Sequence, residues 1–266
     1  METEIAPVVS ECRTLGGLTA LVTGAGSGIG QATARALADA GARVVVTELP
    51  DRLERAQETV AAIQAVGGDA FPVVLDVCDL GNITACVDAT VRAGQGRLDI
   101  LVNNAGVNVR QPAFDVTEEA WDLVLDTNLK GLFFMAQVAG RAMRDQDPAG
   151  GSIINVASTM GLVGYYDRAA YCASKAGSVN LARALAIEWA PQAIRVNAVC
   201  PAFVETPLTR GLLENEAIKR DILHRTPAGR LVAPEEVAAA VVFLAGPAAR
   251  MITGAALTID GGWTAI

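Results

Sequence analysis

Three tyrosines and one lysine lie within thirteen positions of the sequence, in the segment YYDRAAYCASKAG (165–177). They are all the tyrosines of a chain that has only three lysines. Tyr171 and Lys175 are four residues apart, so a helix would carry both on one face. A phenol with a pKa of about 10 is a poor base at neutral pH, but a neighbouring ammonium lowers that pKa. The pair therefore predicts proton transfer between Tyr171 and a substrate oxygen.

A serine at the end of a preceding apolar run supports this interpretation. Ser158 ends the run GSIINVAS (151–158), and its hydroxyl can hydrogen-bond the same substrate oxygen as charge develops there. Tyr165 and Tyr166 have alanines four residues further on, so neither has a lysine on its helix face. The alternative for a lone tyrosine–lysine pair is a surface contact without a function.

A glycine-rich turn is a second candidate site. The segment TGAGSGIG (23–30) follows an apolar run and opens a helical pattern. Glycine permits a positive φ and the close approach of a ligand, and the free amides of a helix N-terminus attract a pyrophosphate. A glycine turn without a ligand is the alternative, but the strand before it and the helix after it favour dinucleotide binding. The predicted cofactor contacts in this turn are Gly24, Ser27, Gly28, Ile29 and Gly30.

An acid at the end of the second predicted strand indicates which dinucleotide binds. Glu48 lies eighteen residues after Gly30, about where a carboxylate accepts hydrogen bonds from the adenosine ribose. The same charge would repel a 2′-phosphate, and the closest basic candidate, Arg52, is expected in the following helix. NAD is therefore the expected cofactor, and a solvated strand-end charge is the alternative role of Glu48. Asp76 and Val77 follow the third strand and are expected at the adenine. Asp76 could equally cap the next helix, although Asp79 suits that role better.

Strand and helix patterns alternate along the chain and would bring these residues together. Helical patterns include long ones over 117–146 and 166–190, while 203–230 is predicted to be irregular with short helices. Seven apolar runs predict strands at 18–24, 42–48, 70–77, 98–106, 151–158, 194–201 and 254–262. This alternation predicts an α/β fold, a Rossmann-type doubly wound sheet of about seven parallel strands flanked by helices. Such sheets bind ligands beyond the carboxyl ends of their strands.

Length, composition and charge limit the class of protein. The 266 residues are predicted to form an N-terminal tail (1–15) and a single domain (16–266) with a substrate loop at about 203–230. A net charge of −8 argues against nucleic acid as a partner, and no apolar run reaches the roughly 20 residues of a membrane span. Five scattered cysteines, a single histidine and the lack of a secretory signal indicate a cytoplasmic protein without a metal site.

In these motifs the sequence resembles the short-chain dehydrogenase/reductase family, and in particular its NAD-dependent sugar and polyol dehydrogenases. The likeness covers about residues 18–263. Besides the glycine-rich turn, it is carried by NNAG (103–106), TNLKG (127–131), NVAS (155–158), YCASK (171–175) and TGAALTIDGG (253–262).

The resemblance implies a catalytic tetrad of Asn128, Ser158, Tyr171 and Lys175. By this likeness Tyr171 would be the general acid/base, and Ser158 would orient and polarise the substrate oxygen. Lys175 would hold the nicotinamide ribose, as would Tyr171, and tune that phenol. Asn128 would keep a kink in the long fourth helix and hold a water in a proton relay.

Further cofactor contacts follow from the same likeness. They are Asn103, Ala105 and Gly106 after the fourth strand, and Pro201, Val204 and Thr206 after the sixth. The segment PAFVETP (201–207) departs from the family pattern PGxVxTP at Ala202, which puts the backbone of that loop in doubt.

The substrate pocket is expected to follow strands four, five and six. Its predicted residues are Asn108, Met160, Tyr165, Tyr166 and Phe203, with further polar groups at Arg110, Arg168 and His224. This mixture suits a polyol, sugar or sugar acid whose secondary alcohol is interconverted with a ketone or lactone.

Two other functions remain open at this point, together with the oligomeric state. One is an NADPH-dependent 3-oxoacyl-[acyl-carrier-protein] reductase, which Glu48, Ser27 and the acidic charge disfavour. The other is a dinucleotide-sensing protein without activity, which the presence of both Tyr171 and Lys175 disfavours. A homotetramer or homodimer is expected, and the family likeness implies that the helices at 117–146 and 166–190 build its interface, although covering the sheet explains part of their apolar character. Their apolar residues are Leu132, Phe133, Phe134, Met135, Leu181, Leu185 and Trp189.

Overall fold

The computed structural model describes residues 14–265, which contain one seven-stranded sheet. The strands are Thr19–Val22 (β1), Arg43–Glu48 (β2), Asp69–Val74 (β3), Ile100–Asn103 (β4), Gly151–Val156 (β5), Ile194–Pro201 (β6) and Ala256–Ile259 (β7). Their order is β3-β2-β1-β4-β5-β6-β7, and each neighbouring pair is parallel. The predicted fold class is therefore confirmed.

The helices pack on both faces of this sheet. They are Gly28–Asp39 (α1), Leu53–Ala65 (α2), Leu80–Ala93 (α3), Glu118–Leu125 (α4), Leu132–Asp145 (α5), Ala169–Trp189 (α6), Arg210–Leu213 (α7), Glu216–His224 (α8) and Pro234–Ala245 (α9). Buried side chains of α1, α2 and α9 form one core, and those of α3, α5 and α6 form another on the opposite face.

Alternation within each strand divides its side chains between the two cores. Val44 and Val46 of β2 lie in the core with α1, whereas Val45 lies in the core with α3. All three are fully buried. Successive strand side chains point to opposite faces, so a strand covered on both sides must be apolar throughout. This is why the strands are continuous apolar runs in the sequence.

The strand order reverses between β1 and β4. From β1 the chain runs outwards through β2 to β3, and it then returns to form β4 on the other side of β1. At such a switch point the loops after the two strands diverge and leave a crevice at their carboxyl ends. The glycine-rich turn after β1 and the NNAG loop after β4 both border this crevice.

The long helix predicted over 117–146 is divided in the structure. A π-helical segment, Asp126–Gly131, separates α4 from α5. A Cβ at Gly131 would lie 2.5 Å from the Val77 carbonyl oxygen, so the backbone here approaches the chain after β3 closely. Local π-helical turns of this kind are frequent at functional sites.

The predicted tail ends one residue too late. Leu15 is fully buried, and its amide donates to the carbonyl of Ala40 at 2.9 Å, so it belongs to the folded body. Residues 1–13 lie outside the described part of the chain. Among the helices of residues 14–265, none is both long and apolar enough to cross a bilayer.

Candidate active site

Tyr171, Lys175 and Ser158 come together at the carboxyl end of β5. Ser158 is 7% exposed, and its hydroxyl accepts a hydrogen bond from the Met160 amide at 3.2 Å. Tyr171 lies in the first turn of α6, and Lys175 follows one turn later and is buried. The Lys175 ammonium is 5.6 Å from the centroid of the Tyr171 ring and donates to the carbonyl of Val156 at 2.8 Å.

Burial shifts the pKa values of the tyrosine and the lysine in opposite directions. It raises the pKa of Tyr171, while the Ser158 hydroxyl and the Arg168 charge act against that rise. It lowers the pKa of Lys175 to about 8. The net shift of the Tyr171 pKa is therefore upward, and the expected contribution of Lys175 stays a prediction. The loss of phenolate hydration outweighs the neighbouring charges.

Asn128 lies within the π-helical segment and is fully buried. Its side chain makes a reciprocal pair of hydrogen bonds with Val107, accepting from the amide and donating to the carbonyl, both at 2.8 Å. It also donates to the Ser174 hydroxyl at 3.2 Å, and that hydroxyl donates to the carbonyl of Tyr171 at 2.8 Å. Asn128 therefore connects the loop after β4 to the turn of α6 that carries the tyrosine.

The glycines of the first turn lie in close contact with neighbouring backbone and side chains. Gly24 and Gly28 have φ values of +62° and +55°, which side chains rarely tolerate. A Cβ at Gly28 would lie 3.1 Å from Thr206 after β6. At Gly30 it would lie 2.4 Å from the Gly24 carbonyl oxygen. Ser27 is the N-cap of α1, and Ile29 is half-buried in its first turn.

Glu48 lies beside this turn, together with an arginine that the sequence did not single out. A Cβ at Gly26 would lie 2.8 Å from a carboxylate oxygen of Glu48 and 2.8 Å from the Cβ of Arg55. The other Glu48 oxygen accepts from the Leu49 amide at 3.1 Å. Arg52, the predicted basic candidate, lies 3.7 Å from Asp51 instead.

Asp76 and Val77 follow β3 as predicted. The Asp76 carboxylate accepts from the Cys78 amide at 2.8 Å, while Val77 is 8% exposed. The N-cap of α3 is Asp79, whose carboxylate accepts from the Asn82 amide at 3.0 Å. The alternative role of Asp76 as that cap is therefore wrong.

The NNAG loop is tied to the glycine-rich turn by its second asparagine. Asn104 donates to the carbonyls of Thr23 and Gly24, both at 2.9 Å. The Thr23 hydroxyl accepts from the Asn104 and Ala105 amides. The predicted Asn103 side chain instead donates to Asn155 on β5 at 3.0 Å, inside the sheet.

Gly106 leaves a space between two members of the predicted tetrad. A Cβ at this position would lie 3.1 Å from Oδ1 of Asn128 and 3.7 Å from Nζ of Lys175. A side chain here would therefore occupy the crevice at the point where the tetrad faces it.

The segment after β6 folds back over the glycine-rich turn. Pro201 ends the strand, Val204 is 3% exposed, and Thr206 is 8% exposed against Gly28. Ala202, which departs from the family pattern, is not among the described non-glycine residues with positive φ. Alanine is therefore compatible with this backbone, and Ala202 does not distort the loop.

An aromatic cluster lies next to Tyr171. Met160 and Phe203 are buried, and Tyr165 packs edge-on against Phe203 at 5.5 Å and against Trp263 at 5.8 Å. Burial raises the pKa of Tyr165 to about 12, and its phenol donates to Asp221 at 3.0 Å. These residues form a third apolar cluster with side chains of α7 and α8.

The remaining predicted pocket residues differ in their exposure and in their polar contacts. Tyr166 is 66% exposed, and His224 is exposed at the end of α8. Arg110 is paired with Asp167 at 3.6 Å. Asn108 follows β4 and keeps a buried side-chain oxygen without a hydrogen-bond partner.

Four residues at this site were not predicted, namely Arg55, Asn104, Ser174 and Trp263. Ser174 could have been found from its position three residues after Tyr171, on the same face of a helix. Trp263 directly follows the DGG motif, but its contact with Phe203 joins residues sixty positions apart. No local pattern carries that information.

Comparisons with known proteins agree with this geometry. A family model described as enoyl-(acyl carrier protein) reductase matches residues 24–264. The chain is 42% identical to cis-4-hydroxycyclohexanecarboxylate dehydrogenase from Sinomonas cyclohexanicum, over 93% of this chain and 96% of that one. It is 43% identical to D-threitol dehydrogenase from Mycolicibacterium smegmatis, over 94% of both chains.

Solved structures show the same fold. A short-chain type dehydrogenase/reductase from Mycobacterium marinum is 37% identical and superposes with a TM-score of 0.89, covering 95% of this chain and 97% of that one. A gluconate 5-dehydrogenase from Burkholderia cenocepacia, in complex with NADP and tartrate, is 34% identical with a TM-score of 0.90, covering 96% and 98%. The chain belongs to the short-chain dehydrogenase/reductase family.

Proposed function

We propose that this protein is an NAD-preferring dehydrogenase that oxidises a secondary alcohol of a polyol, sugar or sugar acid. The observation that carries the proposal is the grouping of Tyr171, Lys175, Ser158 and Asn128 beside a glycine-lined crevice. The relatives that act on D-threitol and gluconate support the substrate class. Residues 203–230, which contribute side chains of α7 and α8 to the aromatic cluster, are proposed as the substrate loop.

The described residues fit a nicotinamide dinucleotide. The glycine-rich turn opens α1, so its amides would hold the pyrophosphate. Glu48 and Asp76 would bind the adenosine end. Gly106 keeps space in front of Lys175, which would hold the nicotinamide ribose. When bound, the cofactor accepts the hydride from the carbinol carbon.

The protein would contribute orientation and a path for the proton. Tyr171 takes the hydroxyl proton of the substrate as the hydride leaves, and Ser158 hydrogen-bonds the same oxygen. Lys175 supplies a positive charge close to the phenol. Asn128 positions this end of α6 through Ser174 and Val107.

A substrate panel tests the activity. Polyols, aldoses, sugar acids and simple secondary alcohols are incubated with NAD, and NADH formation is followed by absorbance. For the best substrate, Tyr171→Phe is expected to lower kcat by about 1000-fold, since a positioned acid/base contributes roughly 10²–10⁴. Fluorescence titration should show that this variant still binds NADH. Tyr166→Phe, at the exposed neighbouring phenol, is expected to change kcat less than about tenfold. Unchanged oxidation by Tyr171→Phe would show that the catalytic assignment is wrong.

Cofactor choice is tested separately at the turn after β2. The wild-type kcat/KM is expected to favour NAD, because the Glu48 carboxylate would repel a 2′-phosphate. Glu48→Gln is expected to raise kcat/KM with NADP by about tenfold or more, since each tenfold corresponds to only about 1.4 kcal/mol.

Arg55→Gln is the matched control for that experiment. Arg55 is exposed, and its Cβ lies beside Gly26 in the glycine-rich turn. It would therefore assist a 2′-phosphate if one were bound. Its loss should lower the use of NADP and leave NAD unchanged. A clear wild-type preference for NADPH would overturn the cofactor proposal and favour the acyl-carrier-protein reductase alternative.

A further inference from the structure

Arg168 is a buried cation without a carboxylate partner among the described residues. It directly precedes α6 and is only 4% exposed. None of the ion pairs found within residues 14–265 includes it. Its Nε is buried without a hydrogen-bond partner. A buried charge is strongly unfavourable unless it is paired, so this arrangement calls for a ligand or another compensation.

Two aromatic rings provide part of that compensation. The central carbon of the guanidinium lies 5.0 Å from the centroid of the Tyr165 ring and 5.3 Å from that of Phe203. Such cation–π contacts stabilise the guanidinium across its planar face. They do not satisfy its N–H groups, which form a planar fork suited to a carboxylate.

The acids in the vicinity are already engaged. Asp167, the residue before Arg168, pairs with Arg110 at 3.6 Å. Asp221 pairs with Arg225 at 3.0 Å and accepts the phenol hydrogen bond of Tyr165 at 3.0 Å. Neither of these carboxylates therefore forms an ion pair with Arg168.

Arg168 also lies close to the proposed chemistry. It precedes Tyr171 by three residues, so both belong to one face of the start of α6. Its charge acts directly on the Tyr171 phenol, opposing the effect of burial on the pKa of that group. Tyr171 packs in the same cluster as Tyr165 and Phe203, whose rings Arg168 contacts, so an anion bound to Arg168 would lie near the reacting hydroxyl.

We propose that Arg168 binds a carboxylate of the substrate and thereby selects a hydroxy acid over the neutral alcohol with the same carbon skeleton. This inference rests on the proposed function, because it places the carboxylate beside the hydroxyl that Tyr171 deprotonates. A purely structural arginine would instead hold the rings of Tyr165 and Phe203 in place. Replacing it would then lower kcat/KM for charged and neutral substrates equally.

Matched substrate pairs separate these two roles. The full-length wild-type protein is assayed with NAD on D-gluconate against D-glucitol. The second pair is cis-4-hydroxycyclohexanecarboxylate against its carboxamide. The wild type is expected to prefer the acid of a pair by at least tenfold in kcat/KM. Arg168→Met, which keeps an apolar stem on the rings, is expected to lower kcat/KM for the acid by about 100-fold, mainly through KM. Its effect on the neutral compound is expected to stay within about threefold.

Two further variants control the experiment. Arg168→Lys should recover part of the preference for the acid, because it restores a charge without the planar fork. Arg144→Met removes a surface arginine of α5 that pairs with Asp145 at 2.6 Å, outside the proposed substrate loop, and it should leave the preference unchanged. Circular dichroism shows whether each variant is folded.

A binding measurement makes the test independent of turnover. Calorimetric titration with tartrate, a dicarboxylate, in the presence of NADH should detect binding to the wild type and none to Arg168→Met. Equal kcat/KM for acid and neutral substrates, or equal losses for both in Arg168→Met, would overturn the role of Arg168 while leaving the dehydrogenase proposal intact. Absence of oxidation of any alcohol would overturn the dehydrogenase proposal, and the tartrate titration would still decide about Arg168.

Discussion

At the residue scale, burial moves the pKa values of the tyrosine and the lysine apart. The pKa of Tyr171 is raised, and that of Lys175 is lowered to about 8. Each shift has the same physical cause, because a low-polarity environment disfavours whichever form is charged. Perturbed groups that lie together beside a crevice are typical of functional sites. The buried Lys175 ammonium lowers the stability of the folded protein at neutral pH.

The buried lysine predicts a particular pH dependence of stability. Its folded pKa of about 8 lies below the value of 10.5 that is usual for lysine. Between these two pH values the unfolded chain holds a proton that the folded protein has released, so this group adds stability as the pH rises. Below pH 8 both states are protonated and the unfavourable burial is present in full.

Comparison with Lys175→Met isolates that contribution. The free energy of unfolding of each protein is measured by urea denaturation from pH 7 to pH 10. Over this range the free energy of unfolding of the wild type is expected to rise by up to about 3 kcal/mol relative to that of the variant, because each pKa unit corresponds to about 1.4 kcal/mol. A difference that is constant with pH would contradict the lowered pKa of Lys175.

At the element scale, the site depends on close backbone contacts between turns that follow different strands. The turn after β1 contacts the loop after β4 through Asn104 and the segment after β6 through Gly28. The π-helical segment presents Asn128 to the loop after β4. These contacts fix the width of the crevice, so a single added methyl group should disturb it.

Gly30→Ala tests this dependence. The added Cβ would lie 2.4 Å from the Gly24 carbonyl oxygen and 2.5 Å from the Asn104 side-chain nitrogen, which are held by hydrogen bonds. Overpacking of this kind costs about 1–3 kcal/mol, and the KM for NAD should rise as the turn is displaced. Thermal unfolding and initial rates provide the two readouts. Gly211→Ala on α7, where a Cβ would meet nothing within 4 Å, should leave both unchanged.

At the scale of the whole molecule, an open apolar groove is a candidate surface for the expected self-association. The groove has a volume of about 580 Å³ and lies where α6 meets α4, α5 and the π-helical segment between them. Leu129, Phe133 and Leu181 line it. Of the apolar residues named on these helices, Leu132, Met135 and Leu185 are buried in the core of the chain itself, where they cover the sheet. The homotetramer or homodimer stays a prediction.

Leu181→Glu tests that prediction by light scattering. A charge in the groove should shift the protein from an oligomer towards smaller species, because it would have to be buried in the interface. Val66→Glu, at a side chain that is 75% exposed away from the groove, should leave the mass unchanged. A wild type that is monomeric at micromolar concentration would contradict the expectation.

The sequence by itself determined the sheet, the glycine-rich turn and the tyrosine–lysine pair. Each of these depends on local spacing. Apolar runs separated by helices specify parallel strands, glycines at a strand end specify a tight turn, and a four-residue interval places two side chains on one helix face. The grouping of Ser158, Tyr171 and Asn128 was predicted from their order along the chain and from a family likeness.

Only the tertiary structure decided the direction of the tyrosine pKa, the contact of Arg55 with the turn, and the isolation of Arg168. Each of these depends on which distant segments surround a side chain and how much water they exclude. Arg168 illustrates the difference, since the sequence predicts it as a polar group of the substrate pocket but not its burial or its lack of a carboxylate partner among the described residues. In the fold the adjacent Asp167 pairs with Arg110, while the guanidinium of Arg168 is buried between aromatic rings. The physical reason is that charge pairing and hydration are properties of three-dimensional neighbours, which sequence adjacency does not specify.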